Sequence, residues 1–249
     1  LNSFKIFAKL LLFKLFSSNR CRRQEWGYGE PNVYVVWSDY CKDFISRRNK
    51  NKSKIVVGSP NINSLGDVNS GIKSRTSEKL ILIIDQNFQH HGTWSVNEEI
   101  YYYNFLFKLS NIMSDYHFVV KFKERFPIPK HLKDSDSLPK NFSFTDKNLL
   151  RLISDSDLVL SVHSTVLLES LFYGKKIGCF DWFDFSNPFV ENEVGFSLPN
   201  LNPVQASKIL INELNKNHSD FISNKEKFVN KFYGDKRENI YSKVVSVLN

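Results

Sequence analysis

The segment 162–169, which reads VHSTVLLE, combines residue types that suit anion binding. Val162 ends an apolar run, and Thr165 begins a predicted helix. The free amides of the first helical turn, with the hydroxyls of Ser164 and Thr165, would hold a phosphate without a metal. Glu169 lies one turn further on, within reach of a ribose hydroxyl if the ligand is a nucleotide. Alternatively, Ser164 only caps the helix and Glu169 is solvated; the spacing alone does not decide.

A second candidate is basic. Lys121, Lys123 and Arg125 leave the end of another apolar run at alternate positions. Alternation along a strand places the three cations on one side, where they would neutralise a diphosphate or a carboxylate. Residue type alone favours the simpler interpretation, a solvated basic turn.

The third candidate is the segment 85–92, which reads DQNFQHHG after a third apolar run. Gly92 permits close backbone approach by a ligand, and Gln86 is a candidate contact of the same ligand. His90 or His91 would serve as acid or base near neutral pH. Adjacent histidines ligate one ion poorly, and no carboxylate cluster accompanies them, so we expect no metal here. A surface loop with two solvated histidines is the equal alternative.

Several familiar sites are excluded by pattern. No glycine-flanked serine elbow accompanies Ser164, and neither the dinucleotide-binding nor the Walker glycine pattern occurs. Cys21, Cys41 and Cys179 form no close pair, which argues against a disulfide framework or structural zinc and favours a reducing, intracellular setting. The basic segment 47–54 has no recognised nucleic-acid module around it, so no nucleic-acid partner is expected.

The composition is that of a globular protein. The 249 residues are 41% hydrophobic and 24% charged, which excludes a mainly disordered or fibrous chain and suffices for one large or two small domains. The net charge of +8 favours an anionic partner without choosing among nucleotide, phospholipid surface, phosphorylated sugar and nucleic acid. Because the sequence starts at Leu1 and its one methionine is Met113, we expect a fragment or a trimmed product.

The elements that must position these residues alternate between strand and helix. The unbroken apolar run 80–84 predicts a parallel strand covered on both faces. Ser95 and Glu98 form a capping-box pattern that opens a helix. Further strands are predicted at 118–122, 142–145, 157–162 and 176–180, and helices at 147–154 (N-cap Asp146), 165–173 (ended by Gly174), 203–216 and 220–249. This alternation predicts a doubly wound α/β domain, whose ligands bind beyond the carboxyl ends of the strands.

The N-terminal part is predicted to be separate. Strands at 33–37 and 54–57 flank a helix at 39–48, and the Asn-, Ser- and Gly-rich segment 61–78 indicates a linker. The predicted organisation is therefore 1–60, a linker at 61–78, and a domain at 79–249. Residues 1–16 are apolar but broken by lysines and too short to span a bilayer. We favour a core helix there over a basic helix on a membrane surface.

These pieces, in this order, resemble bacterial surface-polysaccharide glycosyltransferases of the GT-B fold over residues 33–249. That group includes capsule and lipooligosaccharide transferases and the sialyltransferase and polysialyltransferase types; CDP-glycerol glycerophosphotransferases look similar too. The resemblance is carried by segments 35–44, 55–60, 80–86, 119–121, 157–165 with Glu169, 174–176, and 232–235. Many relatives have His-Pro after the strand lysine, where this chain has Phe122-Lys123.

The resemblance implies a Rossmann-like doubly wound parallel sheet that binds the donor, with 1–60 as the remnant of an N-terminal acceptor domain. It implies transfer of a sugar from a nucleotide-activated donor to a surface polysaccharide or lipid-linked glycan, with no cofactor and no metal. Ser164 and Thr165 would hold the donor phosphate, with His163 beside them and Glu169 contacting the nucleotide. The implied location is cytoplasmic, with peripheral contact at the inner face of the membrane left open. Such enzymes usually take their base from the N-terminal domain, which leaves His90 and His91 as fallback candidates.

Two alternatives stay open at this point. One is transfer of a polyol phosphate from a CDP-activated donor, as in teichoic-acid synthesis. The other is a non-catalytic domain that binds an anionic glycan or a partner protein.

Overall fold

The computed structural model divides the chain into two compact units, Leu1–Ser70 with Ile222–Asn249, and Gly71–Phe221. The predicted domains instead kept 222–249 with the 79–249 domain. The predicted linker 61–78 and the segment 1–16 lie outside the described residues. The structure describes residues 33–36, 38–46, 53–56, 79–90, 92–122, 128–129, 132, 138–162, 164–182, 188–216 and 218–233.

The first unit contains a strand–helix–strand motif. Strand β1 (Val33–Val36) and strand β2 (Ser53–Val56) pair in parallel, and helix α1 (Asp39–Ser46) connects them. The register runs from Val33 opposite Ser53 to Val36 opposite Val56. Both predicted strands and the helix are present, because a parallel pair needs a crossover and the helical pattern at 39–46 supplies one.

The second unit is built on a six-stranded, all-parallel sheet. Its strands are β3 (Lys79–Ile84), β4 (Tyr116–Lys121), β5 (Phe142–Thr145), β6 (Leu158–Ser161), β7 (Lys176–Asp181) and β8 (Phe196–Pro199). Their spatial order is β5-β4-β3-β6-β7-β8. The chain moves outward from β3 to β5, returns to β6 beside β3, and then moves outward the other way. This is the doubly wound, Rossmann-like α/β fold, and the predicted fold class is confirmed.

Among the described residues, six further helices follow: α2 (Val96–Ile112), α3 (Leu149–Asp155), α4 (Val166–Phe172), α5 (Pro188–Glu191), α6 (Pro203–Asn215) and α7 (His218–Tyr233). Helices α2 and α6 contact each other. The predicted helix at 220–249 is described as far as Tyr233.

The core of the second unit explains the unbroken apolar run in β3. Ile81 and Ile83 belong to a cluster with Tyr102 and Leu106 of α2, while Leu82 and Ile84, which alternate with them, are buried as well. Successive side chains of a strand point to opposite faces, so both faces of β3 are covered. Each large apolar side chain so buried contributes roughly 1.5–3 kcal/mol.

Helix α2 begins as its sequence predicts. Ser95 Oγ accepts a hydrogen bond from Glu98 N at 3.3 Å, and Glu98 Oε2 accepts one from Ser95 N at 2.7 Å. Each side chain thus satisfies a backbone donor that the first helical turn leaves without a partner. Ser95 N and Ser95 Oγ both donate to Glu98 Oε2, and these two hydrogen bonds hold the pKa of Glu98 below its ordinary value.

Helix α3 begins later than predicted. Asn148, rather than Asp146, is its N-cap, because Asn148 Oδ1 accepts from Arg151 N at 3.2 Å. Asp146 instead offers its backbone carbonyl to Lys121 Nζ at 2.9 Å. The predicted end of α4 is confirmed: Gly174 has φ +68°, and Gly174 N donates to Leu171 O.

Candidate functional site

The sheet changes direction between β3 and β6. These strands are neighbours, and their last paired residues are Ile84 and Ser161. The connections β3 to β4 and β6 to β7 run in opposite directions across the sheet, so right-handed crossovers place α2 and α4 on opposite faces. A crevice therefore lies beyond Ile84 and Ser161, at the position where doubly wound sheets bind ligands.

Side-chain hydrogen bonds fix the pairing of β3 with β6 at both ends. Ser161 Oγ donates to Ile84 O at 2.8 Å in a buried position. At the other edge of the sheet, Leu80 N donates to Asp157 Oδ2 at 2.8 Å, and Asp157 N donates to Leu80 O at 2.9 Å. The two loops that leave these strands thus start from fixed positions.

Ser164 lies at the start of α4 and is 8% exposed. Its Oγ accepts from Val166 N at 3.1 Å, its carbonyl accepts from Leu167 N, and the Thr165 carbonyl accepts from Leu168 N. The predicted free amides of residues 166–168 are therefore paired inside the turn. An anion at this corner would depend on the hydroxyl protons of Ser164 and Thr165 rather than on those amides.

Of the other residues predicted on this segment, Glu169 is half-buried one turn into α4. Partial burial, and then the Glu169 carboxylate, raise the pKa of Tyr173. His163 lies outside the described residues.

The loop after β3 brings several predicted residues to the same edge of the sheet. Gln86 is half-buried and His90 is exposed, while His91 lies outside the described residues. Gly92 has φ +68° in a turn in which Gly92 N donates to Gln89 O at 3.0 Å. A Cβ added at Gly92 would meet nothing within 4 Å. The backbone conformation, not a close neighbour within this chain, therefore requires glycine here.

The structure does not place Lys121 beside Ser164. Lys121 ends β4 and is 6% exposed, and its Nζ donates to the Asp146 carbonyl. Strand β3 lies between β4 and β6, so β4 is two strand spacings, about 10 Å, from β6. Lys121 thus ties β4 to the loop after β5, and its role toward an anion stays a prediction. Lys123 and Arg125 lie outside the described residues.

Sequence reasoning missed a buried acidic cluster next to the crevice. Asp85 follows β3 and is 6% exposed; its Oδ2 accepts from Tyr103 Oη at 2.6 Å, and its Oδ1 accepts from Asn87 N. Burial raises the pKa of Asp85, although these two hydrogen bonds partly offset the effect. Burial, and then the charge of Asp85, raise the pKa of Glu99 on α2. An acid that directly follows an unbroken apolar strand was the available signal.

An aromatic group lies at the same edge, after β7. The Trp182 ring is 5.7 Å from that of Tyr101, 5.2 Å from Tyr102 and 5.1 Å from Phe105. Tyr101 is exposed, and its Oη donates to Asn200 Oδ1 at 3.2 Å. Aromatic side chains of α2 thus connect the loop after β7 with the loop after β8.

Two further features bear on ligands and membranes. Within the described ranges, no three His, Cys, Asp or Glu side chains lie close enough to hold a metal ion. Over the same residues, none of the helices combines the length and the apolar character needed to cross a bilayer.

Comparison with known proteins identifies the fold. No protein-family model and no curated protein sequence matches this chain. Solved structures do match. The UDP-GlcNAc 2-epimerase of Methanocaldococcus jannaschii, in complex with UDP-GlcNAc and UDP, is 14% identical over 78% of this chain and 59% of its own, with a TM-score of 0.52.

Two transferase structures are similar to the same degree. The wall teichoic acid polymerase TagF with CDPG is 13% identical over 88% of this chain and 57% of its own, with a TM-score of 0.51. The spinosyn rhamnosyltransferase SpnG is 14% identical over 71% and 46%, with a TM-score of 0.52. The chain spans about half the length of these proteins. At these identities the likeness shows the shared Rossmann-like fold of GT-B enzymes.

Proposed function

We propose that the chain is the donor-binding part of a GT-B glycosyltransferase. It would transfer a sugar from a nucleotide-activated donor to a surface polysaccharide or a lipid-linked glycan, without a metal. The observation that carries the proposal is the placement of Ser164 and Thr165 beyond β6, at the change of strand direction beside β3. The similarity of the fold to SpnG and TagF, and the resemblance of the sequence motifs, support it.

The proposed chemistry is stabilisation of the leaving phosphate. Because Ser164 Oγ already accepts from Val166 N, its own proton is the group it offers to an anion. Hydroxyl donors that are fixed in place before reaction lower the free energy of charge that develops in the transition state. Glu169, further along α4, is assigned to the nucleotide. His90, exposed on the loop after β3, is the candidate base among the described residues.

Calorimetric titration with UDP, CDP, CMP, UDP-N-acetylglucosamine and CDP-glycerol tests this proposal. We expect the wild-type chain to bind at least one of them, and Ser164→Ala with Thr165→Val to weaken that binding about tenfold or more. Ser156→Ala is the matched control. It also loses a serine hydroxyl that hydrogen-bonds within the chain, Ser156 Oγ to Ile153 O at 2.8 Å, but it precedes β6 at the opposite edge of the sheet. Equal affinity of the double variant and the control would contradict the proposal.

Transfer of a polyol phosphate is the second candidate, and the similarity to TagF over 88% of the chain favours it. Preference for CDP-glycerol over every UDP compound in the same titration would select it. A folded chain without affinity for any of the five compounds would instead select a non-catalytic domain that binds an anionic glycan or a partner protein.

A further inference from the structure

Two polar atoms beside the crevice are buried without a partner. Among the residues that the structure describes, Asn87 Oδ1 and Trp182 Nε1 are the buried side-chain atoms that make no hydrogen bond. Asn87 follows β3 and Trp182 follows β7, the two strands that flank β6. Native proteins pair nearly all such atoms, because leaving one unpaired costs free energy. Both exceptions therefore lie at the carboxyl edge of the sheet, on either side of the strand that leads to Ser164.

The backbone of Asn87 is also held in an uncommon conformation. Its φ is +51°, in the left-handed region that asparagine adopts more readily than most residues but at some cost. The Asp85 carboxylate accepts from Asn87 N and from Tyr103 Oη, which fixes the turn to helix α2. Asn87 is 3% exposed. Asp85, itself bonded to Tyr103, thus holds the backbone of Asn87, while the Oδ1 atom of the Asn87 side chain makes no hydrogen bond.

The pairing of β3 with β6 relates the position of Asn87 to that of Ser164. Ile84 pairs with Ser161, and Asn87 and Ser164 each follow three residues later. Adjacent strands lie about 4.8 Å apart, so the two loops leave the sheet side by side. Asn87 and Ser164 therefore belong to the two loops that border the same crevice.

We propose that Asn87 is a specificity-determining residue of the donor site, and that its carboxamide binds a hydroxyl group of the donor. This inference rests on the proposed function. The atom left without a partner is Oδ1, and an amide oxygen accepts hydrogen bonds and repels phosphate oxygens, so we assign it to a hydroxyl of the ribose or of the transferred group. Because Asn87 Oδ1 is covered in the structure, the side chain must rotate toward the crevice on binding. Asp85 and Tyr103 are positioning residues that hold the turn.

The test is calorimetric titration of Asn87→Gly with UDP, CDP, UDP-N-acetylglucosamine and CDP-glycerol. Glycine adopts positive φ without strain, so the turn is kept while the carboxamide is removed. We expect about tenfold weaker binding of whichever compound the wild-type chain binds. If UDP or CDP also binds more weakly, the hydroxyl belongs to the ribose. Loss confined to UDP-N-acetylglucosamine or CDP-glycerol would assign it to the transferred group.

Glu193→Gly is the matched control. Glu193 is exposed, has φ +57°, and lies in the turn that leads into β8 at the opposite edge of the sheet. Its replacement relieves the same backbone strain, so binding should stay at the wild-type level. If both glycine variants bind as tightly as the wild type, or both weaken equally, the role of Asn87 is overturned while the donor site stands. If the wild-type chain binds none of the four compounds, the proposed function fails first and this inference fails with it.

A second variant covers failure of the glycine variant to fold, which circular dichroism would reveal. Asn87→Asp keeps the size of the side chain, and aspartate also tolerates positive φ. Its negative charge beside the crevice should weaken binding of the anionic nucleotide by at least tenfold at neutral pH. Unchanged affinity of a folded Asn87→Asp variant would overturn the proposal.

Discussion

Tyr103 Oη donates a hydrogen bond of 2.6 Å to Asp85 Oδ2, and both residues are buried. Tyr103 lies in helix α2, whereas Asp85 directly follows strand β3, so this contact ties the helix to the loop that borders the crevice. A buried carboxylate is tolerated only where hydrogen bonds replace its water. Tyr103 supplies one of the two hydrogen bonds that the Asp85 carboxylate accepts, and Asn87 N supplies the other.

Tyr103→Phe should lower the free energy of unfolding by about 1.5–3 kcal/mol, because it removes one hydrogen bond from a buried acid. Urea denaturation at neutral pH measures the loss. Tyr101→Phe is the control: that hydroxyl is bonded to Asn200 on an exposed side chain, and its loss should cost about 0.5 kcal/mol or less. Similar losses in the two variants would show that the hydrogen bond to Asp85 stabilises the fold no more than an exposed one does.

The buried acids make stability depend on pH in a stated direction. Burial raises the pKa of Glu99 above its ordinary value of 4.5, so between that value and the raised pKa the folded chain binds more protons than the unfolded chain. The contribution of Glu99 to the free energy of unfolding is therefore fully present below pH 4.5, and it is lost as the pH rises through the raised pKa. Glu99→Gln should flatten this decline and make the chain more stable than the wild type at neutral pH.

Glu98, the adjacent residue, provides the contrast. The hydrogen bonds from Ser95 lower the pKa of Glu98, so its contribution is present above the ordinary value and is lost as the pH falls through the lowered pKa. Glu98→Gln should therefore be less stable than the wild type at neutral pH, and this difference should shrink at acid pH. Glu99→Gln should change stability in the opposite direction. Urea denaturation of both variants across this range measures the two slopes, and slopes of the same sign would refute the assignment.

Lys176 closes the end of helix α6 and should be costly to remove. Its Nζ donates to the carbonyls of Glu213 at 2.6 Å, and of Leu214 and Lys216 at 2.8 Å each. Lys176→Met keeps the length of the side chain but removes this donor from the three carbonyls at the end of α6. We expect a loss of about 2–3 kcal/mol in the free energy of unfolding, with faster amide exchange in the last turn of α6.

Lys208→Met is the matched control for Lys176→Met, because Lys208 is exposed on the same helix. Its replacement should change stability by about 0.5 kcal/mol or less, with no change in exchange at the end of α6. Equal effects of the two lysine variants would mean that the three carbonyl contacts of Lys176 contribute little.

The elements that sequence predicted well are those with strong local signals. The unbroken apolar run of β3, the capping box of Ser95 and Glu98, and Gly174 after α4 each depend on residues close together in the chain. Strand β8 was missed, because Phe196–Pro199 has only four residues, follows a glycine and ends in a proline. Helix α5 was missed as well, since its four residues carry no helical periodicity.

The site was predicted in part for the same reason. The loops after β3 and β6 could be named as candidates because ligands bind beyond strand ends, but sequence does not give the strand order that makes them neighbours. Asp85 directly follows an unbroken apolar strand, but its burial against Tyr103 was not foreseen, because that contact depends on how α2 packs. Likewise, the positive φ of Asn87 accompanies the hydrogen bond from Asn87 N to Asp85 and has no sequence pattern of its own.

The contact between Ser161 and Ile84 joins residues that are 77 positions apart in the chain. Closing so large a loop costs entropy that only later contacts return, so this part of the sheet is expected to form late in folding. During synthesis, a nascent polypeptide that stops short of β6 has only one wall of the crevice. Ligand affinity should therefore arise abruptly, once translation has passed the start of α4, rather than grow with chain length.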